Sequence, residues 1–150
     1  MTVRIAPSIL SADFARLAEA GVEGQVDLLL LDAPCSGLGT LRGNPEIKLR
    51  RGPEDVTRLA ALQTKLLATL APQVAPGGRL VYVVCTWTRE ETLDQVAAFE
   101  AEHPNFEREP LEGSPDFLDG LVDDDALFTT WPHREGADGF FAVRWRRADS

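Results

Sequence analysis

Two apolar runs, Val26-Asp27-Leu28-Leu29-Leu30-Leu31 and Arg79-Leu80-Val81-Tyr82-Val83-Val84, constrain this chain more than any other feature. Each has the length of a strand, and each is nearly continuous rather than alternating, as in strands buried within a parallel sheet. Between them, Glu54 to about Ala71 sets Val56, Leu59, Ala60, Leu66, Leu67 and Leu70 near a 3.6-residue period, the mark of an amphipathic helix. Strand, helix and strand in this order predict a βαβ unit. The only two cysteines follow these runs, Cys35 within Asp32-Ala33-Pro34-Cys35-Ser36-Gly37 and Cys85 directly after Val84. Ligands of open parallel sheets gather at the carboxyl ends of the strands, so both thiols are expected at the functional edge.

The remaining chain continues the alternation. Val3 to Leu10 reads as a short strand interrupted by Pro7, and Ser11 can cap a helix from Ala12 to Ala20 that stops at Gly21. Residues 33–53 form a loop with Gly37, Gly39, Gly43, Pro45, Gly52 and Pro53, and loops of that length inside a domain are usually functional. Pro72, Pro76, Gly77 and Gly78 end the central helix, and Leu80 to Val84 is the strand that follows. Thr88 is expected to cap a helix through Glu102, with Glu91 at the capping-box position and Leu93, Val96 and Ala97 facing inward. Phe106 to Leu111 reads as a weak strand and residues 113–125 as acidic loop. Leu127–Trp131 and Phe140–Trp145 read as a terminal antiparallel pair.

A chain of 150 residues is expected to form a single domain with a real core. No run approaches the ~20 apolar residues of a membrane span. Without a secretory pattern at the N-terminus, two cysteines so far apart favour free thiols and a cytoplasmic setting. A net charge of −9 argues against a nucleic-acid surface spread over the whole protein. The positive charge is local instead: Arg42, Lys48, Arg50, Arg51 and Arg58 cluster after the first cysteine. Trp87 and Trp131 are read as packing residues, and Asp138-Gly139 as a turn.

Asp32 to Lys48, DAPCSGLGTLRGNPEIK, resembles the fourth conserved motif of the bacterial RNA cytosine-5 methyltransferases that modify ribosomal RNA. The resemblance continues through Leu59 to Pro72, Pro76-Gly77-Gly78, Leu80-Val81-Tyr82, Cys85 with Glu90-Glu91, and Asp138-Gly139-Phe140-Phe141, covering roughly residues 24–147. It implies a truncated class I methyltransferase (Rossmann-like) α/β sheet, mostly parallel with a C-terminal antiparallel strand. It also implies RNA as substrate and S-adenosylmethionine as cofactor. By the same resemblance Cys85 matches the nucleophile and Cys35 the second cysteine, which assists product release. Asp32 matches the motif aspartate between cofactor and base, and Asp32, Pro34 and Lys48 fall on the substrate side. No metal is implied.

Several positions depart from the family pattern. Val83 and Val84 stand where the family has Ser-Thr, Thr86 replaces a serine, and Glu91-Thr92 replaces Glu-Asn. The family's glycine-rich cofactor turn does not precede Asp32, so cofactor binding is expected to be weak or absent and the catalytic half incomplete by itself. A folded non-catalytic remnant is the alternative, as is a module completed by an oligomeric or other partner that covers the exposed sheet edge. Arg4 to Leu17, RIAPSILSADFARL, resembles instead the first strand and helix of ribulose-phosphate 3-epimerase, over residues 1–22. That barrel needs about 200 residues or more and a histidine–aspartate metal pair. Leu30-Leu31-Asp32 supplies no such histidine, so epimerase activity is not expected.

Overall fold

A computed structural model describes residues 25–110 and 120–149. The strand and helix expected before residue 24, including the epimerase-like segment, lie outside the described residues, as does part of the acidic loop. Strand β1 is Val26–Asp32, followed by a short helix α1, Ile47–Arg50, and the long helix α2, Pro53–Leu70. Strand β2, Val74–Val84, precedes α3, Leu93–Glu102, and β3, Phe106–Arg108. Strand β4, Leu127–Thr129, the short helix α4, Pro132–Glu135, and β5, Phe141–Arg147, complete the set.

The sheet order is β1-β2-β5-β3, with β4 also paired to β5. The β1–β2 pair is parallel, whereas β5 runs antiparallel to β2, β3 and β4. Four strands therefore point one way and the C-terminal strand points the other, as expected for a Rossmann-like methyltransferase sheet. Helix α2 starts where the sequence signals it: Pro53 occupies the first turn, and Asp55 accepts the Gly52 N–H at 3.2 Å.

Period-two alternation along the strands builds the core. Leu80, Tyr82 and Val84 of β2 and Phe141, Val143 and Trp145 of β5 face α2 and α3, where Leu66, Leu67, Val96 and Phe99 meet them. Trp145 is fully buried, 4.4 Å from Phe99 between ring centroids, and its indole N–H donates to Glu100 at 2.9 Å. On β1 the same alternation leaves Leu28 and Leu30 exposed on the other face.

Three details differ from the expectations. Strand β2 begins at Val74 rather than Leu80, because Pro76-Gly77-Gly78 does not end an element but bulges within one. The register jumps from Val26↔Val74 to Leu28↔Arg79, and Gly77 turns through φ +72°. The helix expected from Thr88 is split into a single 3-10 turn, Arg89–Glu91, and α3, with Thr92 at φ −125°, ψ −95° between them. Glu91 turns inward instead of capping, which rotates α3 so that Gln95, Val96 and Phe99 are buried while Leu93 and Ala97 face outward. The loop 33–53 is not featureless, since it holds a 3-10 turn at Leu38–Thr40 as well as α1.

Candidate active site

Parallel pairing of β1 with β2 brings the chain after Asp32 beside the chain after Val84. Asp32 opposes Val83, and Ala33 N–H donates to Val83 C=O at 2.9 Å. The two cysteines that follow are free thiols with sulfurs 3.2 Å apart. That contact is a hydrogen bond between thiols, well outside the roughly 2.05 Å of a disulfide. Cys35 is the more enclosed of the two. Its pKa is pushed far up, first by the hydrogen bond to Cys85 and then by burial. Cys85 is held below the usual thiol value, first by the bond to Cys35, although burial and the nearby charges of Asp32 and Glu91 oppose the shift. Two chemically identical groups are thus shifted in opposite directions by their surroundings.

Main-chain contacts hold the loops in place. Gly39 N–H donates to Cys85 C=O at 2.9 Å, and Gly139 N–H donates to Gly39 C=O at 2.8 Å. A Cβ on Gly39 would lie 2.0 Å from the Gly139 oxygen, and one on Gly139 would lie 1.8 Å from the Trp87 ring. Glycine at both positions therefore answers to space. Trp87 stacks on Trp131 with centroids 5.3 Å apart and planes 14° apart, and its indole N–H reaches Thr130 C=O at 3.1 Å. The two tryptophans pack on each other, in line with the packing role read from the sequence.

Asp32 is exposed at the end of β1, close enough for its charge to act on Cys85. Pro34 is half-buried, and its carbonyl accepts Gln63 Nε2 at 2.9 Å. Lys48 is exposed on α1, and its neighbour Ile47 lies against Gly37 in the loop that follows Cys35. Asp138-Gly139 is more than a turn, because it closes on Gly39 and Trp87. Among the described residues no cluster of three or more metal-ligating side chains occurs, and no helix is long and apolar enough to cross a membrane.

Residues 2–146 match the family model described as 16S rRNA methyltransferase RsmB/F. The chain belongs to this family. Similar relatives include ribosomal RNA small subunit methyltransferase B of Thermus thermophilus, 46% identical over 126 residues, which cover 81% of this chain and 29% of that protein. Another is the probable ribosomal RNA small subunit methyltransferase B of Bacillus subtilis, 39% identical over 142 residues, covering 90% of this chain and 30% of the relative. The chain thus spans less than a third of the length of either. Among solved structures, that of PH0851 superposes with a TM-score of 0.76 at 35% identity, covering 89% of this chain and 29% of the other. The structure of NSun6 from Pyrococcus horikoshii with SFG gives 0.71 at 26%, covering 94% and 34%.

Within this RsmB/F fold, three polar residues at the thiols escaped the sequence reading. Ser36 is buried, its hydroxyl 2.9 Å from that of Thr86, the residue after Cys85. Gln63 is buried on α2 and contacts both Pro34 and Glu91. A glutamine on the apolar face of an amphipathic helix was the signal available. Glu91 was read as a cap, whereas its carboxylate lies beneath both cysteine loops.

Proposed function

We propose that this chain carries the two-thiol centre of an S-adenosylmethionine-dependent methyltransferase acting on carbon 5 of cytosine in ribosomal RNA. The observation that supports it most directly is the 3.2 Å contact between Cys35 and Cys85 at the carboxyl edge of adjacent parallel strands. Carbon 5 of cytosine is a poor nucleophile. A thiolate that adds to carbon 6 makes it enamine-like and divides one hard step into two easier ones. Cys85 is the thiol suited to this addition, since the bond donated by Cys35 favours its thiolate. After carbon 5 is methylated its proton passes to solvent water, the electrons of that C–H bond restore the ring double bond, and Cys85 leaves carbon 6 as a thiolate. Cys35, still protonated, donates its hydrogen bond to the departing sulfur and so favours release.

S-adenosylmethionine supplies the electrophilic methyl group when bound. Of the described residues, Asp32 and the Pro34 edge are the groups that would face it, and no glycine-rich strand-to-helix turn joins them. They fit one side of such a molecule, so the described residues by themselves are expected to bind it weakly or not at all. Calorimetric titration tests this, and a dissociation constant in the low micromolar range overturns it. Exposed Lys48 and Arg50 on α1 suit the phosphates of an RNA strand near the thiols.

Exchange of the carbon 5 hydrogen of cytosine needs no cofactor: the thiol adds at carbon 6, carbon 5 takes a deuteron from solvent and loses its original proton to solvent, and the thiol leaves. In a ribosomal RNA fragment incubated with this chain in deuterated water, exchange is expected at cytosine and is expected to vanish with Cys85→Ser. Exchange that survives Cys85→Ser, or no exchange with the unaltered chain, refutes the proposal. RNA carrying 5-fluorocytosine, with S-adenosylmethionine in large excess, adds a map of the site, because fluorine cannot leave carbon 5 as a proton once that carbon is methylated, and a lasting adduct found by mass spectrometry on Cys35 reverses the two roles.

A further inference from the structure

Glu91 is the only acidic side chain among the described residues that is fully buried. Glutamate is almost never found in that state without partners, so the partners define its task. Among the described residues its carboxylate meets neutral donors alone, and they come from three separate segments. Oε1 accepts the Ser36 N–H at 2.8 Å, one residue beyond Cys35, and Gln63 Nε2 at 3.0 Å from α2. Oε2 accepts the Thr88 hydroxyl at 2.8 Å, three residues beyond Cys85. The same Gln63 amide holds Pro34 C=O at 2.9 Å, on the other side of Cys35. The Glu91 main chain is fixed as well, since its carbonyl accepts the Tyr82 hydroxyl at 2.8 Å from the core face of β2.

We propose that Glu91 is the positioning residue of the two-thiol centre: its carboxylate ties the Cys35 loop and the Cys85 loop to each other and to α2, and so sets the distance between the sulfurs. This rests on the reading that the two cysteines act as a pair. Displacements of about 1 Å at a reacting group can cost on the order of a hundredfold in rate, so such a tie has functional weight. Glu91 acts on Cys85 in two opposing ways. Its charge disfavours the thiolate, as does that of Asp32 on β1, whereas the tie preserves the contact with Cys35 that favours it.

Glu91→Gln separates the two effects. A glutamine oxygen can still accept from Ser36 and Gln63, and its amide can donate to the Thr88 oxygen, so the tie survives without the charge. Glu91→Ala removes both. Thr88→Val removes one contact at a half-buried position and guards against an alanine variant that fails to fold.

The probe is phenylarsine oxide, a trivalent arsenical that bonds to two neighbouring thiols while its oxygen leaves with both protons as water. It requires neither cofactor nor RNA. The unaltered chain is expected to bind one arsenical per Cys35–Cys85 pair, and Glu91→Gln to bind it comparably. Thr88→Val is expected to weaken capture about fivefold, the factor that corresponds to one ordinary hydrogen bond. Glu91→Ala, where circular dichroism reports a folded chain, is expected to weaken it by about tenfold or more. The pH midpoint of Cys85 alkylation is expected to fall in Glu91→Gln, which loses the charge alone. Undiminished capture by folded Glu91→Ala, or by Thr88→Val, overturns the proposal, as does a Glu91→Gln variant as weak as alanine. Loss of carbon 5 exchange with capture intact counts instead against the proposed reaction.

Discussion

Replacing Gly39 with alanine perturbs the centre at its tightest point. The added Cβ would sit 2.0 Å from the Gly139 carbonyl oxygen and 2.8 Å from that of Cys85, and both obstacles are main chain. No rotamer change relieves them, so the loops must separate. Gly39 takes part in two interloop hydrogen bonds, to Cys85 C=O and from Gly139 N–H, and both are disrupted when it moves. Overpacking of this kind costs about 1–3 kcal/mol, and each lost bond costs about 1 kcal/mol. A loss of roughly 3–5 kcal/mol follows, and for a domain of this size it corresponds to a fall in Tm of about 6 °C or more. Gly43→Ala is the matched control, since its nearest neighbour would be the Thr40 oxygen at 3.8 Å. Thermal unfolding followed by circular dichroism, with urea titration for the free energy, measures both variants. Equal stability of Gly39→Ala and Gly43→Ala would show that the loops are not locked as described.

Cys35→Ala removes the donor that holds the Cys85 thiolate, so the midpoint of Cys85 alkylation by iodoacetamide, mapped by mass spectrometry, is expected to rise from below the ordinary thiol value. An unchanged or lower midpoint contradicts the assigned direction of the bond. Glu109 sits 2.6 Å from Arg79 on β2 and 2.8 Å from Arg144 on β5, and Arg79 first, with help from Arg144, holds its carboxyl below the usual range. A depressed carboxylate contributes stability above its unfolded value of about 4.3 and loses it as pH falls through the folded value. Glu109→Gln should therefore be destabilised at neutral pH, by only about 1 kcal/mol because the Arg79 side chain is 43% exposed, and should flatten the acid limb of the stability profile. A parallel acid limb in the variant, measured by urea unfolding between neutral and acid pH, would refute this.

The βαβ unit was legible because apolar runs and a 3.6-residue period are local signals, and β1, α2 and β5 lie within a few residues of where the sequence puts them. The proximity of Cys35 and Cys85 could be expected once both runs were read as parallel neighbours. Elements shaped by contacts distant in sequence were not legible. The β2 bulge depends on pairing with Val26, and the break at Thr92 depends on Glu91 turning toward Ser36 and Gln63, 55 and 28 residues away. The departure from the family pattern at Val84 also reads differently in three dimensions. Val84 points into the core beside Leu80 and Tyr82, where a valine packs well, whereas the hydroxyl beside the thiols is supplied by Thr86.

Strand β5 is the last described strand in sequence but lies inside the sheet, between β2 and the shorter β3 and β4. This fixes an order of events during synthesis. Both cysteines leave the ribosome well before Phe141, at a time when β2 has only β1 as a described partner and Gly39 lacks the Gly139 amide that braces it. The Gly139 brace can form only once the segment leading into β5 has been made, and β5 pairs with β2 across more than fifty residues, a long-range contact of the kind that slows folding. A chain without β5 therefore keeps the β1–β2 pair but lacks the brace behind Gly39, and with it one support of the loop that carries Cys35.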